Sequence, residues 1–242
     1  MSWAKGILAG TALAASAIMF TPKPAEAGVV VSSSGPSAAQ YPDGRQISAN
    51  QAITLRDGDT VTVLENGGTR VFRGAGSHSL GSASTASRNR AFASLTTQRA
   101  AARARTGAVR STGSTEVTNP SLWYVDVAAP GTICLPANTN VRLWRADTQA
   151  ESTYAIAVDG GDAATSITFP AGEMLAGWGT ANPPVAGQAY RIGHGSNTGP
   201  VEVSFVFLDQ TPDTPEDLAG LLIANGCSVQ LAQMSAAMMA TE

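Results

Sequence analysis

The chain has 242 residues, enough for one large domain or two small ones, and its formal net charge is −3 at pH 7. It contains two cysteines and two histidines, and it lacks the motifs of α/β-hydrolase nucleophiles, zinc proteases, zinc ribbons and EF-hands. These features exclude the enzyme and metal-binding classes that such motifs define. We therefore expect a protein that is not an enzyme and that has no cofactor and no metal.

Residues 1–27 have the organisation of a secretory signal peptide. Lys5 supplies a positive charge, residues 6–20 are apolar, and residues 25–27 read Ala-Glu-Ala, which is the small-x-small cleavage pattern. The apolar run is shorter than the roughly 20 residues that span a bilayer. We predict cleavage before Gly28, release into the periplasm of a Gram-negative cell or secretion, and no transmembrane segment in the mature chain. The alternative is an uncleaved N-terminal anchor.

Residues 28–80 predict a small β-domain of four or five strands. A β-branched run at 28–31 is typical of a first strand. In residues 46–77 apolar side chains alternate with polar ones, and turns that contain glycine interrupt the alternation at residues 57–58 and 66–68. Such a pattern indicates short antiparallel strands joined by tight turns.

The residues that carry this pattern also resemble a known family. They are Gly44, Ile47, Ile53, Leu55, Gly58, Asp59, Val61, Val63, Leu64, Gly68 and Arg70. Their order and spacing, within residues 44–76, resemble the FecR-like domain of bacterial envelope proteins. The better-known members are membrane-anchored regulators whose periplasmic part senses a transport signal. This chain has no spanning helix or sigma-factor-binding segment before the β-domain, so the resemblance implies a periplasmic β-module without catalytic residues.

Residues 81–118 predict a basic helical linker. No acid occurs between Glu65 and Glu116, whereas residues 88–105 are rich in alanine and arginine and favour a helix. The apolar face of this helix is thin, so we expect a partly mobile connector. The possible anion-binding residues are Arg88, Arg90, Arg99, Arg103 and Arg105. The segment is either a solvated linker or an arm that contacts an anionic envelope component; no nucleic acid is expected in that compartment.

Residues 119–242 predict an immunoglobulin-like β-sandwich followed by two helices. Seven short strands are separated by turn signals, and Trp123 and Trp144 are expected in the core. Thr214 and Pro215 favour the start of a helix, and a second helix follows the Asn-Gly pair at 225–226. We expect both helices to pack on this second β-region. The fold class is therefore mainly β.

The two cysteines, Cys134 and Cys227, favour one disulfide in an exported chain. The bond would close a long loop and pin the C-terminal helices to the sandwich. In the chain-entropy model, a loop of this length stabilises the fold by about 4 to 5 kcal/mol. The alternatives are two buried thiols or pairing with a second chain.

Three functions agree with this sequence. The leading hypothesis is a periplasmic interaction or scaffold protein with a FecR-like module, which uses loops and strand edges to bind an envelope partner and has a link to envelope signalling. The first alternative is a carbohydrate- or cell-wall-binding, or degrading, protein that uses an exposed Trp178 with Glu173. The second is a FecR-type regulatory sensor. His78 and His194 are interpreted as solvated loop residues, and the Asp-Gly sequences as turns rather than calcium sites.

Overall fold

The computed structural model describes most of the chain after the predicted signal peptide. The described residues are 26–48, 51–65, 68–80, 92–97, 117–137, 139–161, 163–195 and 199–239. Residues 1–25 and most of the predicted linker lie outside this part. Within the part that is described, no helix is both long enough and apolar enough to span a membrane.

The described residues between 26 and 80 form six strands. They are β1 (Glu26–Ser34), β2 (Gln46–Ser48), β3 (Ala52–Leu55), β4 (Thr60–Glu65), β5 (Gly68–Arg73) and β6 (Gly76–Ser79). Four of them make an antiparallel sheet in the order β2-β1-β4-β5, and β3 pairs with β6. The six strands exceed the four or five that the sequence predicts, because β6 consists of Gly, Ser and His and shows no apolar alternation.

Strand β1 contributes to two cores at once. Val30 faces a small core inside this region, whereas Val29 and Val31 face a larger core outside it. Side chains of a strand alternate between its two faces, so one β-branched run can serve both. The small core consists of Val30, Tyr41, Ile47, Ile53, Leu55, Val61, Val63 and Phe72.

The turn at residues 57–59 is locked by a buried carboxylate. The Oδ1 atom of Asp59 accepts a hydrogen bond from the backbone N–H of Ser37 at 2.8 Å, and Oδ2 accepts one from the N–H of Arg56 at 2.6 Å. Burial alone raises the pKa of Asp59, but the hydrogen bonds from Ser37 and Arg56 outweigh it and hold the pKa below its ordinary value. Gly35 has a φ of 101° and lies so close to Asp59 that a side chain at residue 35 would not fit.

The second β-region forms two sheets. Its strands are β7 (Tyr124–Asp126), β8 (Gly131–Pro136), β9 (Arg142–Trp144), β10 (Ser152–Val158), β11 (Ala164–Phe169), β12 (Leu175–Gly177), β13 (Ala189–Gly193) and β14 (Val201–Leu208). One sheet has the order β11-β10-β13-β14-β8 and the other β12-β9-β7. The chain is mainly β, as predicted, and the two sheets are consistent with a β-sandwich. Two neighbouring pairs, β8 with β14 and β7 with β9, are parallel.

Two helices close the chain. Helix α1 (Pro215–Ala224) has Thr214 as its N-cap, whose Oγ1 accepts from the N–H of Asp217 at 3.2 Å. Helix α2 (Ser228–Met239) begins directly after Cys227. The predicted disulfide is confirmed: Cys134 in β8 is bonded to Cys227, and both side chains are buried.

A buried glutamine reinforces this connection between α2 and β8. The Oε1 atom of Gln230 accepts from the N–H of Cys134, and its Nε2 donates to the carbonyl oxygens of Cys134 and Leu122, all at 2.7 Å. Buried polar groups that are fully paired specify one packing arrangement. Both helices also contact β1 of the first region; in addition, α1 contacts β4 and α2 contacts β5. The sequence did not predict these contacts.

The larger core therefore connects both regions. It contains Val29, Val31 and Leu64 of the first sheet, inward residues of the sandwich, and Leu218, Leu222, Met234 and Met238 of the helices. Trp123 and Trp144 are buried, as predicted. The division into separate domains at 28–80 and 119–242 stays a prediction.

Residues 92–97 of the predicted connector pack on the larger core, which the thin apolar face did not predict. The partial mobility of the connector stays a prediction. Residues 92–96 are helical, and Phe92 and Leu95 are buried in the larger core. The carbonyl oxygen of Leu95 accepts from the Ser121 hydroxyl at 3.1 Å, and that of Thr96 accepts from the Trp123 indole at 2.7 Å. Each buried side chain of this size contributes about 1.5–3 kcal/mol, which favours the packed position of this short helix.

Candidate functional site

The two ends of the sandwich differ in chemistry. One end contains the turn between β10 and β11 (residues 158–164), and we call it the hairpin end. The opposite end contains Arg145, Tyr154 and His194, and we call it the polar end. Strand pairing separates them: Ser152 pairs with Phe169 at the polar end, and Ala157 pairs with Ala164 at the hairpin end.

A groove of about 600 Å³ lies at the hairpin end. Its described lining residues carry no formal charge. They are Ile156, Val158, Ala163, Ala164, Thr165, Ile167, Trp178, Ala181, Asn182, Pro183, Val185, Gln188 and Tyr190. Cavities of this size and composition are typical of sites that bind a small ligand or a few side chains. Two other described cavities are smaller, at about 240 and 270 Å³.

One wall of the groove is the loop at residues 178–188, and internal hydrogen bonds hold it in place. The indole N–H of Trp178 donates to the carbonyl oxygen of Asn182 at 3.1 Å. The hydroxyl of Tyr190 accepts from the N–H of Val185 at 2.9 Å and donates to Oε1 of Gln188 at 3.1 Å. Because these contacts lie within the protein, the groove is formed before any partner arrives.

The aromatic side chains beneath the groove support the same loop. Trp178 packs edge-on against Tyr190 and Phe205, with ring centroids 5.3 Å apart in both pairs. The prediction that Trp178 is exposed is wrong, because only 6% of its surface is accessible. Glu173 precedes β12 whereas Trp178 follows it, and Glu173 does not line the groove. The structure therefore does not bring the two residues of the carbohydrate hypothesis together.

The rim of the groove exposes apolar side chains. Val158 is 36% accessible and Val185 is 56% accessible, and both line the groove. Neither residue was predicted as a site residue from the sequence. Each lies beside a turn-forming stretch, Val158 before the Asp-Gly-Gly at 159–161 and Val185 after the two prolines at 183–184, and an apolar residue in such a place was the available signal.

The groove is next to an edge strand. Strand β11 is the last strand of its five-stranded sheet, and β10 is the described strand that pairs with it. Its sequence, ATSITF, contains no charge and no proline, which are the features that usually protect an edge from pairing. Thr165 and Ile167 of β11 line the groove, so the edge and the groove form one continuous surface.

The polar end is built around a buried arginine. Arg145 is only 3% accessible. Its Nε donates to the carbonyl oxygen of Glu173 at 3.0 Å and its Nη2 to that of Pro170 at 2.8 Å. Its guanidinium also lies over the ring of Phe169, 5.1 Å from the centroid. These contacts use the arginine to fix the chain that leads from β11 to β12.

Tyr154 and His194 stack beside this arginine. Their ring centroids are 4.7 Å apart, and Nδ1 of His194 lies 3.0 Å from the carbonyl oxygen of Thr153. Burial raises the pKa of Tyr154. Burial also raises the pKa of Asp126 at the end of β7, although the N–H of Ala128 donates to its carboxylate at 2.9 Å.

The remaining predicted site residues do not converge. His194 follows β13, as expected for a loop residue, but His78 lies in β6 and its ring is 5.4 Å from that of Phe72. The carboxylate of Asp59 is occupied by backbone N–H groups, as described above. In the described part of the chain, no three His, Cys, Asp or Glu side chains form a group that could hold a metal ion.

The predicted anion-binding arginines cannot be placed. Arg88, Arg90, Arg99, Arg103 and Arg105 all lie outside the described residues. Contact with an anionic envelope component therefore stays a prediction.

Comparisons with known proteins do not assign this chain to a family. No family model, no curated protein and no solved structure matches this chain. The resemblance to FecR-like domains and the regulatory function that it suggests stay predictions.

Proposed function

We propose that this chain is an exported protein of the periplasm or cell exterior, without catalytic activity, that binds an extended, uncharged segment of an envelope partner. The partner segment would pair with the free edge of β11 and place an apolar side chain in the groove. The observation that carries this proposal is the uncharged groove of about 600 Å³ that continues into the outer edge of β11, where no described strand other than β10 pairs with it.

In binding by strand addition, backbone pairing supplies the affinity and side-chain contacts supply the selectivity. The backbone of the added segment pairs with N–H and C=O groups of the edge strand, whatever its sequence. Alternate side chains of the added segment point to one face, where Thr165, Ile167 and Val185 line the groove. An uncharged lining penalises a charged side chain, which would lose its hydration without a partner. The preferred segment is therefore extended and apolar at alternate positions.

The disulfide supports the proposed location. Structural disulfides persist in oxidising compartments and are rare in a reducing cytosol. The bond between Cys134 and Cys227 is therefore consistent with the predicted signal peptide.

Affinity capture from the native envelope tests the proposed function. The tagged chain and the variants Val185→Asp and Val158→Asp are used as bait, and the recovered proteins are identified by mass spectrometry. We expect the specific partner to be lost from both variants, because each places a carboxylate on the rim of an uncharged groove.

The matched control is Val117→Asp, since Val117 is a similarly exposed valine, 48% accessible, that does not line the groove. It should capture the partner as well as the unmodified chain does. A partner that all three variants retain would refute the groove as its binding site. Binding on a glycan array that survives Val185→Asp would instead favour the carbohydrate-binding alternative.

The arginine-rich segment would make a separate, electrostatic contact with an anionic envelope component. Surface charge contacts weaken as salt rises. We expect binding to isolated envelopes to fall with increasing salt, and to fall further in the variant that carries both Arg99→Ala and Arg103→Ala. Binding that salt and this variant leave unchanged would remove this second contact.

A further inference from the structure

Glu65, at the end of β4, is a fully buried carboxylate with only one of its oxygens paired. Its accessible surface is 0%, and Oε1 accepts from Nη1 of Arg70 at 2.7 Å. Oε2 is also buried, and it has no hydrogen-bond partner among the described residues. A buried carboxylate normally has all its oxygens satisfied, because a charge without partners is costly in a medium of low dielectric constant. Oε2 can therefore accept from a further hydrogen-bond donor, and a cationic donor would also offset the buried charge.

The residue opposite Glu65 is the first residue of the predicted mature chain. Gly28 of β1 pairs with Glu65 of β4. The two backbones approach so closely that a Cβ atom on Gly28 would lie 2.9 Å from the carbonyl oxygen of Leu64 and 3.3 Å from Cβ of Glu65. Only glycine fits at this position, and nothing but its backbone can face the carboxylate.

Removal of the signal peptide changes the chemistry of that backbone. In the uncleaved chain the nitrogen of Gly28 is an uncharged amide, and β1 continues back to Glu26. A signal peptidase adds one water molecule across the bond between Ala27 and Gly28, which leaves a carboxylate on Ala27 and an ammonium group on Gly28. That ammonium group has three N–H donors and a positive charge, on the residue that pairs with Ile47 of β2 on one side and with Glu65 of β4 on the other.

We propose that the N-terminal ammonium group created by signal-peptide cleavage pairs with Oε2 of Glu65 and completes a buried cluster with Arg70. Cleavage is then a modification that finishes the fold, and the mature chain is more stable than a chain that retains residues before Gly28. The proposal rests on the predicted export and cleavage, but it does not depend on the groove at the hairpin end.

The amino-acid composition makes this amine a unique target for amine-specific reagents. Both lysines of the protein, Lys5 and Lys23, precede the cleavage site. The α-amine of Gly28 is therefore the sole primary amine of chain 28–242, and an amine-specific reagent modifies one known atom. Acetylation removes the positive charge, whereas reductive dimethylation keeps it.

The experiment uses oxidised chain 28–242, produced behind a fusion partner that a protease removes to leave Gly28 first. We measure the Tm of the free, acetylated and dimethylated forms, each with Glu65 and with Glu65→Gln. We expect acetylation to lower the Tm by about 4 °C or more in the Glu65 chain and by less than about 1 °C in the Glu65→Gln chain. Dimethylation should restore most of the difference.

An equal loss in both chains, or no loss in the Glu65 chain, would overturn the proposal. If Glu65→Gln does not fold, Arg70→Met replaces it, because the side chain of Arg70 is 34% accessible and its loss is better tolerated. Without Arg70 the carboxylate depends on the amine alone, so acetylation should then cost more than in the unmodified chain. An unchanged cost would again overturn the proposal.

The cellular part is tested separately by mass analysis of the chain recovered from the exported fraction. A first residue other than Gly28 would overturn the proposal. The capture experiment at the groove is unaffected by this outcome, so the two proposals can fail independently.

Discussion

The two ends of the sandwich use the polar atoms of their side chains in different ways, although the same strands form both. At the polar end, Arg145 satisfies carbonyl oxygens of the chain between β11 and β12, and the aromatic stack of Tyr154 and His194 covers the strand ends. At the hairpin end, Trp178 and Tyr190 use their polar atoms to hold a loop, and this leaves Val158 and Val185 exposed.

The difference shows how a groove can be kept open. The polar atoms of Trp178 and Tyr190 are paired within the protein, so the groove lining carries no charge and exposes apolar side chains, and an uncharged partner would gain free energy by covering them. At the polar end the polar contacts serve the fold itself. We therefore expect changes at the polar end to alter stability and changes at the hairpin end to alter binding.

The largest expected effect concerns the disulfide, which connects β8 to the start of α2. Replacing both cysteines (Cys134→Ala with Cys227→Ala) should lower the free energy of unfolding by about 4 kcal/mol, because the unfolded chain regains the entropy of a long open loop. Urea unfolding under oxidising conditions measures this. Reductant should destabilise the unmodified chain by a similar amount and leave the variant unchanged. A loss of amide protection at one end only would contradict a shared scaffold.

Removal of the buried arginine should have the next largest effect. Arg145→Met removes the guanidinium donor from the carbonyl oxygen of Glu173 and one of the two donors of Pro170, whose carbonyl oxygen keeps the N–H of Glu173. We expect a loss of about 3 kcal/mol in the free energy of unfolding. Chemical denaturation measures this loss. Arg73→Met, at an exposed arginine of β5, is the control and should stay within about 0.5 kcal/mol of the unmodified chain. If the Arg145→Met variant folded but failed to bind the partner, this would contradict the contrast between a polar end that serves stability and a hairpin end that serves binding.

A charge placed in the groove should affect binding alone. Thr165→Lys should weaken partner binding at least about tenfold, since the ammonium group opposes an apolar side chain, and it should change stability by less than about 0.5 kcal/mol. Titration calorimetry with the captured partner segment measures the affinity. Ser166→Lys is the matched control, because Ser166 is an exposed neighbour on the other face of β11. Equal weakening by both variants would indicate a non-specific charge effect.

The smallest expected effect is pH-dependent and lies at the polar end. Burial raises the pKa of Asp126, so its charged form destabilises the fold at pH values above that pKa. Asp126→Asn removes the charge and should raise stability at pH 7 by less than about 1 kcal/mol. This gain should shrink as the pH falls through the raised pKa towards the ordinary value of 3.8. Thermal unfolding across this range would contradict the assignment if the gain were constant.

Local signals in the sequence predicted much of the fold. Alternation marked β4 and β14, the Thr-Pro pair at 214–215 marked the start of α1, and the even cysteine count in a chain predicted to be exported marked the disulfide. Each of these signals is contained within a few residues or follows from the compartment. They succeed because the local preference and the final structure agree.

Contacts between distant residues explain the misses. Phe92 and Leu95 are buried because Ser121 and Trp123, more than 20 residues later, hold the C-terminal end of their helical turn. Trp178 is buried because Tyr190 and Phe205 come from other strands. Strand β12 has only three residues and exists because Leu175–Gly177 pairs with β9. No local pattern contains this information.

Hydrogen–deuterium exchange of the backbone amides, with and without the captured partner segment, tests the central claim most directly. The free edge of β11 should exchange fast in the isolated protein, because β10 is the described strand that pairs with it. If the partner adds a strand there, exchange in residues 164–169 should slow at least about tenfold, while exchange around Tyr154 and His194 stays the same. Slowing at the polar end, with β11 unchanged, would contradict the proposed binding site.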